Sequence, residues 1–322
     1  MKALVTGAGG FIGHHLAKVL AARGFQVRCF VRYTSTGGIG LLSNLPGDVL
    51  ASCEVVRGDL RDPGAVADAV RGCDAVFHLG AHISIPFSYL CPADVVSVNV
   101  GGTVNVLEAA RRSGCTVVVT STSEVYGTAR QVPMTEEHPL SAQSPYAASK
   151  TAADQIALSY HRSFGMPVVV CRPFNTYGPG QSRRAVIPTV ISQALESDVI
   201  ELGSTDTTRD FVFVSDTAEG LAAALMPEAV GHVVHLGTGR ETGVAELVEM
   251  VGGILGRKLA VRVSPERIRP AGSEVMRLVA DPSRARELLG WQARIPLAEG
   301  LAATVEWMRS HPEHGAVRGY AL

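Results

Sequence analysis

A tyrosine and a lysine stand four residues apart in the segment SPYAASK, residues 144–150. Serine at a helix N-cap and proline at the first helical position predict that a helix begins there, which puts Tyr146 and Lys150 on one face. An ammonium group beside a phenol favours the phenolate and lowers its pKa from about 10. Only four of the 29 basic residues are lysines, so an abundance of lysine does not explain the spacing. The pair predicts that Tyr146 serves as a base near neutral pH.

A glycine-rich segment, VTGAGGFIG at residues 5–13, joins the first apolar run to a helical pattern. Glycines in a strand–turn–helix context are typical of a dinucleotide-binding turn. We expect Gly7 to permit the tight turn, Gly10 to let backbone N–H groups approach a pyrophosphate, and Gly13 to let helix and strand pack closely. Phe11 and Ile12 complete the first helical turn and belong to the same predicted cofactor site.

Glu124 is a third candidate group, in the segment STSEVYG at residues 121–127, where an apolar strand ends. Ligands of parallel sheets bind at the carboxyl ends of the strands. An acid at this position is therefore a candidate for acid–base chemistry, with Thr122 beside it.

The elements that must position these groups alternate along the first half of the chain. Nearly all-apolar runs, typical of strands covered on both faces, lie at 3–6, 26–31, 54–57, 75–79, 116–121 and 167–171. Helical patterns separate them, at 10–23, 63–71, 93–113 and 144–164. This alternation predicts an α/β fold with a doubly wound parallel sheet.

The alternation breaks after about residue 172, where prolines and glycines punctuate a loop-rich stretch. Helical patterns at 216–225, 244–255 and 282–289 and a strand at 232–236 follow. We expect a dinucleotide-binding domain of residues 1–172 with 211–238, and a smaller C-terminal α/β substrate domain of residues 173–210 with 239–322. The residues after Met308 have the composition of a polar tail.

The composition excludes several classes of protein. Of the 322 residues, 46% are hydrophobic and 18% are charged, which suits a full core and not a disordered or coiled-coil chain. A formal charge of −1 provides no basic field for nucleic acid or for an anionic membrane. No apolar run is long enough to span a bilayer and no signal-peptide pattern opens the chain, so we expect a cytoplasmic protein.

Six cysteines are scattered along the chain, with no C-x-x-C pair and no histidine at metal-ligand spacing. Cysteines in or beside apolar segments behave as small hydrophobic residues. We therefore predict structural free thiols and no metal site. These cysteines are Cys29, Cys53, Cys73, Cys91, Cys115 and Cys171.

The spacing G-x-x-G-x-x-G, together with Tyr146 and Lys150, resembles the extended short-chain dehydrogenase/reductase family. The likeness to its nucleotide-sugar-modifying members covers nearly the whole chain. The segment RPFNTYGPGQ at residues 172–181 is similar to that family's substrate loop, and TRDFVFVSD at 208–216 to a segment whose arginine binds the substrate's phosphates. The resemblance implies a Rossmann fold, a homodimer and a nucleotide-sugar substrate. The implied substrate contacts are Ser84, Ser123, Asn175 and Arg209.

Glu124 separates the activities within this family. The 4-epimerases usually carry a small residue at that position, whereas the 4,6-dehydratases carry glutamate. The dTDP-glucose 4,6-dehydratases have Asp-Glu where this chain has Ser123-Glu124, while GDP-mannose 4,6-dehydratases and UDP-glucuronate decarboxylases share Ser-Thr-Ser-Glu. The segment ISIPFSY at residues 83–89 and the substrate loop look closest to UDP-N-acetylglucosamine 4,6-dehydratases of the legionaminic-acid type.

The resemblance thus implies an NAD(P)-dependent lyase that removes water from UDP-GlcNAc or a related NDP-hexose. A 4-epimerase is the next alternative and a UDP-glucuronate decarboxylase the third. Outside these classes, a sugar-nucleotide-binding protein or an oxidoreductase that releases reduced cofactor stays open.

In the implied mechanism, Tyr146 takes the proton of the 4-hydroxyl while hydride passes from C4 to the nicotinamide, with Lys150 and Thr122 holding the phenolate and the hydroxyl in place. The ketone acidifies the C5–H bond. Glu124 takes that proton and gives one to the departing C6 hydroxyl, and the hydride returns to C6. The cofactor ends as it began, so we expect it to stay tightly bound.

The type of nicotinamide cofactor stays open. NAD enzymes usually present an acid to the ribose 2′-hydroxyl after the second strand, but the run CFVRYTS at residues 29–35 contains no acid. Arg32 suits a 2′-phosphate and indicates NADP, whereas the relatives that look closest use NAD. Asp59 resembles the family's adenine contact, and Leu60 and Leu79 belong to the same implied cofactor site.

Of the ten histidines, His82 is expected to line the sugar pocket because it follows the fourth strand. His14, His15 and His78 fall in a helix and a buried strand, where packing or surface roles are expected. We also expect the homodimer to form through the helices at 93–113 and 144–164, which are rich in small and apolar residues.

Overall fold

The computed structural model describes residues 1–268 and 270–312. Its strands are β1 (Lys2–Thr6), β2 (Gln26–Arg32), β3 (Glu54–Gly58), β4 (Ala75–His78), β5 (Thr116–Thr120), β6 (Val168–Pro173), β7 (Asn175–Tyr177), β8 (Val199–Leu202), β9 (Thr208–Arg209), β10 (Phe211–Phe213), β11 (Val233–Leu236), β12 (Thr242–Gly243), β13 (Ala260–Val263) and β14 (Arg277–Leu278). Its α-helices are α1 (Phe11–Ala22), α2 (Gly47–Ser52), α3 (Pro63–Val70), α4 (Ile85–Leu90), α5 (Pro92–Val96), α6 (Gly102–Ser113), α7 (Pro145–Phe164), α8 (Val186–Glu196), α9 (Val214–Ala223), α10 (Val244–Leu255), α11 (Ser283–Leu289) and α12 (Leu297–Ser310).

Seven strands form a wholly parallel sheet in the order β11-β6-β5-β4-β1-β2-β3. The first six strands follow the order of a Rossmann sheet, with the switch point between β1 and β4. Successive side chains of a strand point to opposite faces. Accordingly, Ala3 and Val5 pack into a core with α1 and α9, while Leu4 packs into a second core with α3, α6 and α7. Helices on both faces explain why these strands are nearly all apolar.

The residues after β6 build a third core and three small sheets. The strands β7 and β10 pair in parallel, β9 pairs with β12 and β14, and β8 pairs with β13. The third core unites apolar side chains of α8, α10 and α12, among them Ile191, Leu247 and Leu301. The chain returns once to the main sheet, through β11, which pairs with β6.

The predicted fold class, a doubly wound parallel sheet with an additional C-terminal α/β part, is confirmed. The predicted strands agree with the observed ones to within two residues at each end. The division into two domains at the stated residue boundaries stays a prediction.

The sequence predicted one continuous helix over residues 93–113, and this prediction is wrong. The segment is α5, then a π-helical turn at Ser97–Gly101, then α6. Asn99 lies in that turn, where its amide accepts a hydrogen bond from the backbone of His82 and donates one to Ser149. Widened helical turns of this kind often occur at functional sites.

Four helices were not predicted: α2, α4, α8 and α12. Prolines in the loop-rich stretch argued against a helix, but Pro188 is the third residue of α8. The first turn of a helix has no intrahelical acceptors for its N–H groups, so proline is tolerated there.

No helix among the described residues is long and apolar enough to cross a membrane. The predicted polar tail falls largely on residues 313–322, which lie outside the described residues.

Candidate active site

One cavity of about 910 Å³ opens at the carboxyl edge of the sheet, and every predicted site residue lines it. These residues are Gly7, Gly10, Phe11, Ile12, Gly13, Arg32, Asp59, Leu60, Leu79, Ser84, Thr122, Ser123, Glu124, Tyr146, Lys150, Asn175 and Arg209. His82 lines the same cavity. The fold thus brings the glycine turn, the tyrosine–lysine pair and the substrate loop into one space, while the individual roles stay predictions.

The glycine turn is packed too closely for side chains. Gly7 has a φ of +69°, and a Cβ there would lie 2.8 Å from the Gly80 backbone. A Cβ on Gly13 would lie 2.2 Å from the carbonyl oxygen of Gly7. Helix α1 begins after Gly10 without a side-chain cap, so its first N–H groups have no side-chain acceptor. This backbone fits the pyrophosphate of a dinucleotide.

Charged side chains line the cavity at the ends of β2 and β3. The Asp59 carboxylate accepts from Arg61 at 2.6 Å and 3.0 Å, and Arg61 also contacts Asp94 at 3.0 Å. These hydrogen bonds from Arg61 lower the pKa of Asp59. The Arg32 side chain makes no hydrogen bond or ion pair within the described residues, and no acid follows β2. Its positive charge contributes to the lowered pKa of the nearby Asp59, and its guanidinium donors are not used by the described residues.

Tyr146 and Lys150 lie in the first two turns of α7, behind the predicted N-cap Ser144, whose hydroxyl accepts the Ala147 N–H at 3.1 Å. Both side chains are buried. The Lys150 ammonium donates to the carbonyl oxygen of Thr120 at 2.8 Å. Helix capping and the four-residue spacing thus place the pair where the sequence predicted it.

The sequence predicted that Lys150 lowers the pKa of Tyr146. For the protein without a bound cofactor, this prediction is wrong. The pKa of Tyr146 lies above its ordinary value, because burial penalises the phenolate more than the hydrogen bond with Thr122 favours it. The charge of Glu124 raises the pKa of Tyr146 further. Burial also lowers the pKa of Lys150. In the protein without a bound cofactor, burial therefore disfavours the phenolate of Tyr146.

Glu124 lies in a 3₁₀ turn, Ser123–Tyr126, that follows β5. Its backbone N–H donates to the Thr122 hydroxyl at 3.2 Å. Its carboxylate makes no hydrogen bond or ion pair with the other described residues. By contrast, the other two carboxylates on the cavity wall, Asp59 and Glu274, are paired with Arg61 and Arg209. Glu124 is thus the acid that is available to a substrate beside Tyr146.

The predicted substrate contacts also line the cavity. Asn175 begins β7, and Arg209 lies in β9 with its guanidinium 3.7 Å from the Glu274 carboxylate. The Ser84 hydroxyl caps α4 by accepting the Phe87 N–H at 3.2 Å, which leaves its proton available to a ligand. Ser123 is buried at the start of the 3₁₀ turn.

His82 is held on the cavity wall by its neighbours. Its Nε2 lies 3.0 Å from the Asp94 carboxylate, and Asn99 hydrogen bonds to both its backbone N–H and its carbonyl. His78, by contrast, has a packing role. His78 is buried between Thr6 and Thr103, at 2.8 Å and 3.0 Å, and burial lowers its pKa to about 3.

A buried polar network beneath the cavity escaped the sequence analysis. Asp154 is fully buried on α7 and accepts hydrogen bonds from Ser121 at 2.8 Å and Arg172 at 3.0 Å. Arg172 also donates to the Tyr126 hydroxyl at 2.6 Å. One signal was available, since Asp154 follows Lys150 by four residues, as Lys150 follows Tyr146, and so shares their helix face.

Metal ligands do not cluster in the part of the chain that the structure describes, where no three His, Cys, Asp or Glu side chains come together. The six cysteines are free thiols, four of them buried. The side chains on the cavity wall supply a phenol, an ammonium, hydroxyls and a carboxylate, and the glycine turn fits a dinucleotide.

Comparisons with known proteins agree with this arrangement. A family model described as GDP-mannose 4,6 dehydratase matches residues 4–304. The chain is 35% identical to a dTDP-glucose 4,6-dehydratase of Actinoplanes sp., over 97% of this chain and 98% of that protein. It is also 35% identical to a UDP-glucose 4-epimerase of Mycolicibacterium smegmatis, over 96% of this chain and 99% of that protein.

Among solved structures, the dTDP-glucose 4,6-dehydratase DesIV from Streptomyces venezuelae, crystallised with NAD, matches with a TM-score of 0.89 and 33% identity. The match covers 97% of this chain and 98% of that one. The chain therefore belongs to the extended short-chain dehydrogenase/reductase family of nucleotide-sugar 4,6-dehydratases and epimerases.

Proposed function

We propose that this protein is an NAD(P)-dependent nucleotide-sugar 4,6-dehydratase that forms a 4-keto-6-deoxy sugar nucleotide and water. The observation that carries the proposal is the position of Glu124. Its carboxylate has no partner among the described residues, lines the same cavity as Tyr146 and is close enough for its charge to raise the pKa of Tyr146. Elimination of water needs an acid–base group at this position, whereas 4-epimerisation does not.

Tyr146 is the base for the 4-hydroxyl. Thr122 hydrogen bonds to it and favours the phenolate. An oxidised nicotinamide, when bound, would supply the hydride acceptor for C4 and a positive charge near this buried phenol. Gly7, Gly10 and Gly13 would hold the pyrophosphate of that cofactor, and Lys150 would contribute an ammonium donor to its binding. The cofactor would regain its first state within each turnover and would stay bound.

Glu124 supplies the next two proton transfers. The C4 ketone acidifies the C5–H bond, so a free carboxylate can take the C5 proton. The same group, now protonated, can give a proton to the leaving C6 hydroxyl. When hydride is added back at C6, C5 takes up a proton, which balances the proton that Tyr146 took from the 4-hydroxyl. Ser123 stands where dTDP-glucose dehydratases have an aspartic acid, so in this chain one glutamate performs both transfers.

Within this class we infer that the substrate is UDP-GlcNAc or a related NDP-hexose. The inference is supported by the segments at 83–89 and 172–181, which resemble UDP-GlcNAc 4,6-dehydratases of the legionaminic-acid type. Ile83 lines the cavity and is 66% exposed, which offers apolar surface for an acetamido methyl group. The type of cofactor stays open. Arg32 on the cavity wall favours NADP, whereas the NAD bound to the related DesIV favours NAD.

The test begins with wild-type protein and a panel of sugar nucleotides, analysed by mass spectrometry for a product lighter by one water. Glu124→Gln keeps size and hydrogen bonding but removes the base. First hydride transfer should survive while elimination falls by about 10²- to 10⁴-fold, the usual contribution of acid–base catalysis. Reduced nicotinamide and 4-keto intermediate should then accumulate and absorb in the near ultraviolet. Tyr146→Phe should leave the cofactor oxidised.

A 4-epimerase is the second candidate, because the chain is as similar to a UDP-glucose 4-epimerase as to a dehydratase. An epimerase needs only rotation of the ketone before hydride returns to C4. Its product would have the mass of the substrate, and Glu124→Gln would leave its turnover largely intact. These two results together would reject the dehydratase in favour of the epimerase.

A further inference from the structure

One buried guanidinium connects the two segments that carry the proposed catalytic side chains. Arg172 lies near the carboxyl end of β6 and is 2% exposed. Its Nε and Nη2 both lie 3.0 Å from one oxygen of Asp154 on α7. Its Nη1 donates to the hydroxyl of Tyr126 at 2.6 Å. Arg172 therefore contacts the helix of Tyr146 and the turn of Glu124 at once.

On the helix side, Asp154 lies one turn beyond Lys150 and is fully buried. Its carboxylate also accepts from Ser121, the residue that follows β5, at 2.8 Å. The negative charge of Asp154 raises the pKa of Lys150 and so opposes the effect of burial. Asp154 thus fixes α7 against the sheet and favours the ammonium form of Lys150.

On the turn side, Tyr126 is the last residue of the 3₁₀ turn that contains Glu124. It is fully buried, and the Arg172 guanidinium carbon lies 4.9 Å from the centre of its ring. Its hydroxyl is also hydrogen bonded to His235 on β11. Because the Glu124 carboxylate has no partner among the described residues, the position of its backbone depends on anchors such as Tyr126 and Thr122.

We propose that Arg172 is a positioning residue that sets the placement of the hydride-transfer pair, Tyr146 and Lys150, relative to the acid–base residue Glu124. Asp154 and Tyr126 are its two attachments. The proposal rests on the proposed dehydratase function, since only that reaction uses both groups on one sugar in succession. Buried ion pairs add little net stability, because the cost of desolvation offsets their attraction. Apolar side chains at these positions would stabilise the fold equally well, so stability alone does not explain a buried guanidinium here. The geometry of its contacts points to positioning.

Two variants separate the two attachments. Tyr126→Phe removes one hydroxyl and releases the turn, while the contact between Arg172 and Asp154 stays. First hydride transfer should keep its wild-type rate and elimination should slow by about 10- to 100-fold, the effect of displacing a catalytic group by about 1 Å. Reduced nicotinamide should therefore accumulate.

Asp154→Asn releases the helix instead. First hydride transfer should slow by a similar factor, so the cofactor should stay oxidised during turnover. Should this variant fail to fold, Asp154→Glu replaces it, since it keeps the charge and moves it by one methylene group. The same slowing of the first step is expected.

Tyr160→Phe is the matched control. Tyr160 lies on α7, about 21 Å along the helix axis from Tyr146, and its hydroxyl donates to Glu108 at 2.9 Å. The Tyr160→Phe variant loses a tyrosine hydrogen bond that lies outside the contacts of Arg172. The rates of first hydride transfer and of elimination should therefore both match the wild type. Melting temperatures of all variants show how much of any effect is loss of folded protein.

The outcomes distinguish the two proposals. Opposite effects of Tyr126→Phe and Asp154→Asn on the two steps support positioning by Arg172. Equal slowing of both steps in both variants, in a wild-type background that releases water, overturns the positioning role and leaves the dehydratase standing. A wild-type product of unchanged mass rejects the dehydratase and, with it, the Glu124 part of this proposal.

Discussion

The hydroxyl of Thr122 offers a direct test of how Tyr146 becomes a base. It hydrogen bonds to Tyr146, and it is the one group in the described site whose contact lowers the pKa of that phenol. It also accepts the backbone N–H of Glu124 at 3.2 Å. Thr122→Val keeps the shape of the side chain and removes the hydroxyl. The phenolate then loses its hydrogen bond, and the pKa of Tyr146 rises further above its ordinary value.

The size of the effect on hydride transfer follows from the negative charge of the Tyr146 phenolate, to which the Thr122 hydroxyl is hydrogen bonded. A hydrogen bond to a charged group contributes about 1.5–3 kcal/mol, which corresponds to a loss of about 10- to 150-fold in the first hydride transfer at neutral pH. Because the phenolate is the active form, a raised pKa moves the ascending limb of the pH–rate profile to higher pH. Activity should therefore recover as the pH rises.

The assay is rapid mixing of cofactor-loaded enzyme with sugar nucleotide, with absorbance of reduced nicotinamide followed across a range of pH. Thr122→Ser keeps the hydroxyl and serves as the control, with a profile close to the wild type. A Thr122→Val enzyme that is slower by one factor at every pH would refute the reasoning, because that pattern indicates displacement of the substrate and not a changed pKa of Tyr146.

The remaining predictions concern the cofactor and the assembly. Arg32→Asp should shift preference from NADP toward NAD, since an acid repels a 2′-phosphate and accepts from a 2′-hydroxyl; unchanged relative affinities in calorimetric titrations would remove Arg32 from the site. Gly13→Ala should weaken binding of either cofactor by at least about tenfold, because its Cβ would lie 2.2 Å from the Gly7 carbonyl oxygen; wild-type affinity would show that the turn can relax. The chain should dimerise through the segments at 93–113 and 144–164, and a monomer by light scattering at micromolar concentration would contradict this.

Local sequence patterns were sufficient to predict the elements of the central sheet and the candidate site on its edge. Strand and helix periodicities, the N-cap at Ser144 and the glycine spacing at 7–13 act over a few residues, so they can be recognised in the sequence alone. Parallel strands of a doubly wound sheet then bring their carboxyl ends together. For this reason Glu124 was expected at the same edge of the sheet as the glycine turn, whereas Asn175 was assigned only by resemblance to the family's substrate loop.

The tertiary structure decided what depends on burial and on contacts between distant residues. The sequence predicted a lowered pKa for Tyr146, but α7 packs the phenol so deeply that desolvation reverses the sign. The break between α5 and α6 accompanies contacts of Asn99 with His82 and Ser149, which are 17 and 50 residues away.

Arg172 is the clearest example of contacts that local sequence patterns could not predict. In the sequence it belongs to the substrate-loop motif, yet its side chain turns away to join Asp154, 18 residues earlier, with Tyr126, 46 residues earlier. A local pattern specifies which residues share a strand or a helix face, because that depends on backbone geometry. The partner of a buried charge is specified only when helix and sheet exclude water and leave one carboxylate within reach.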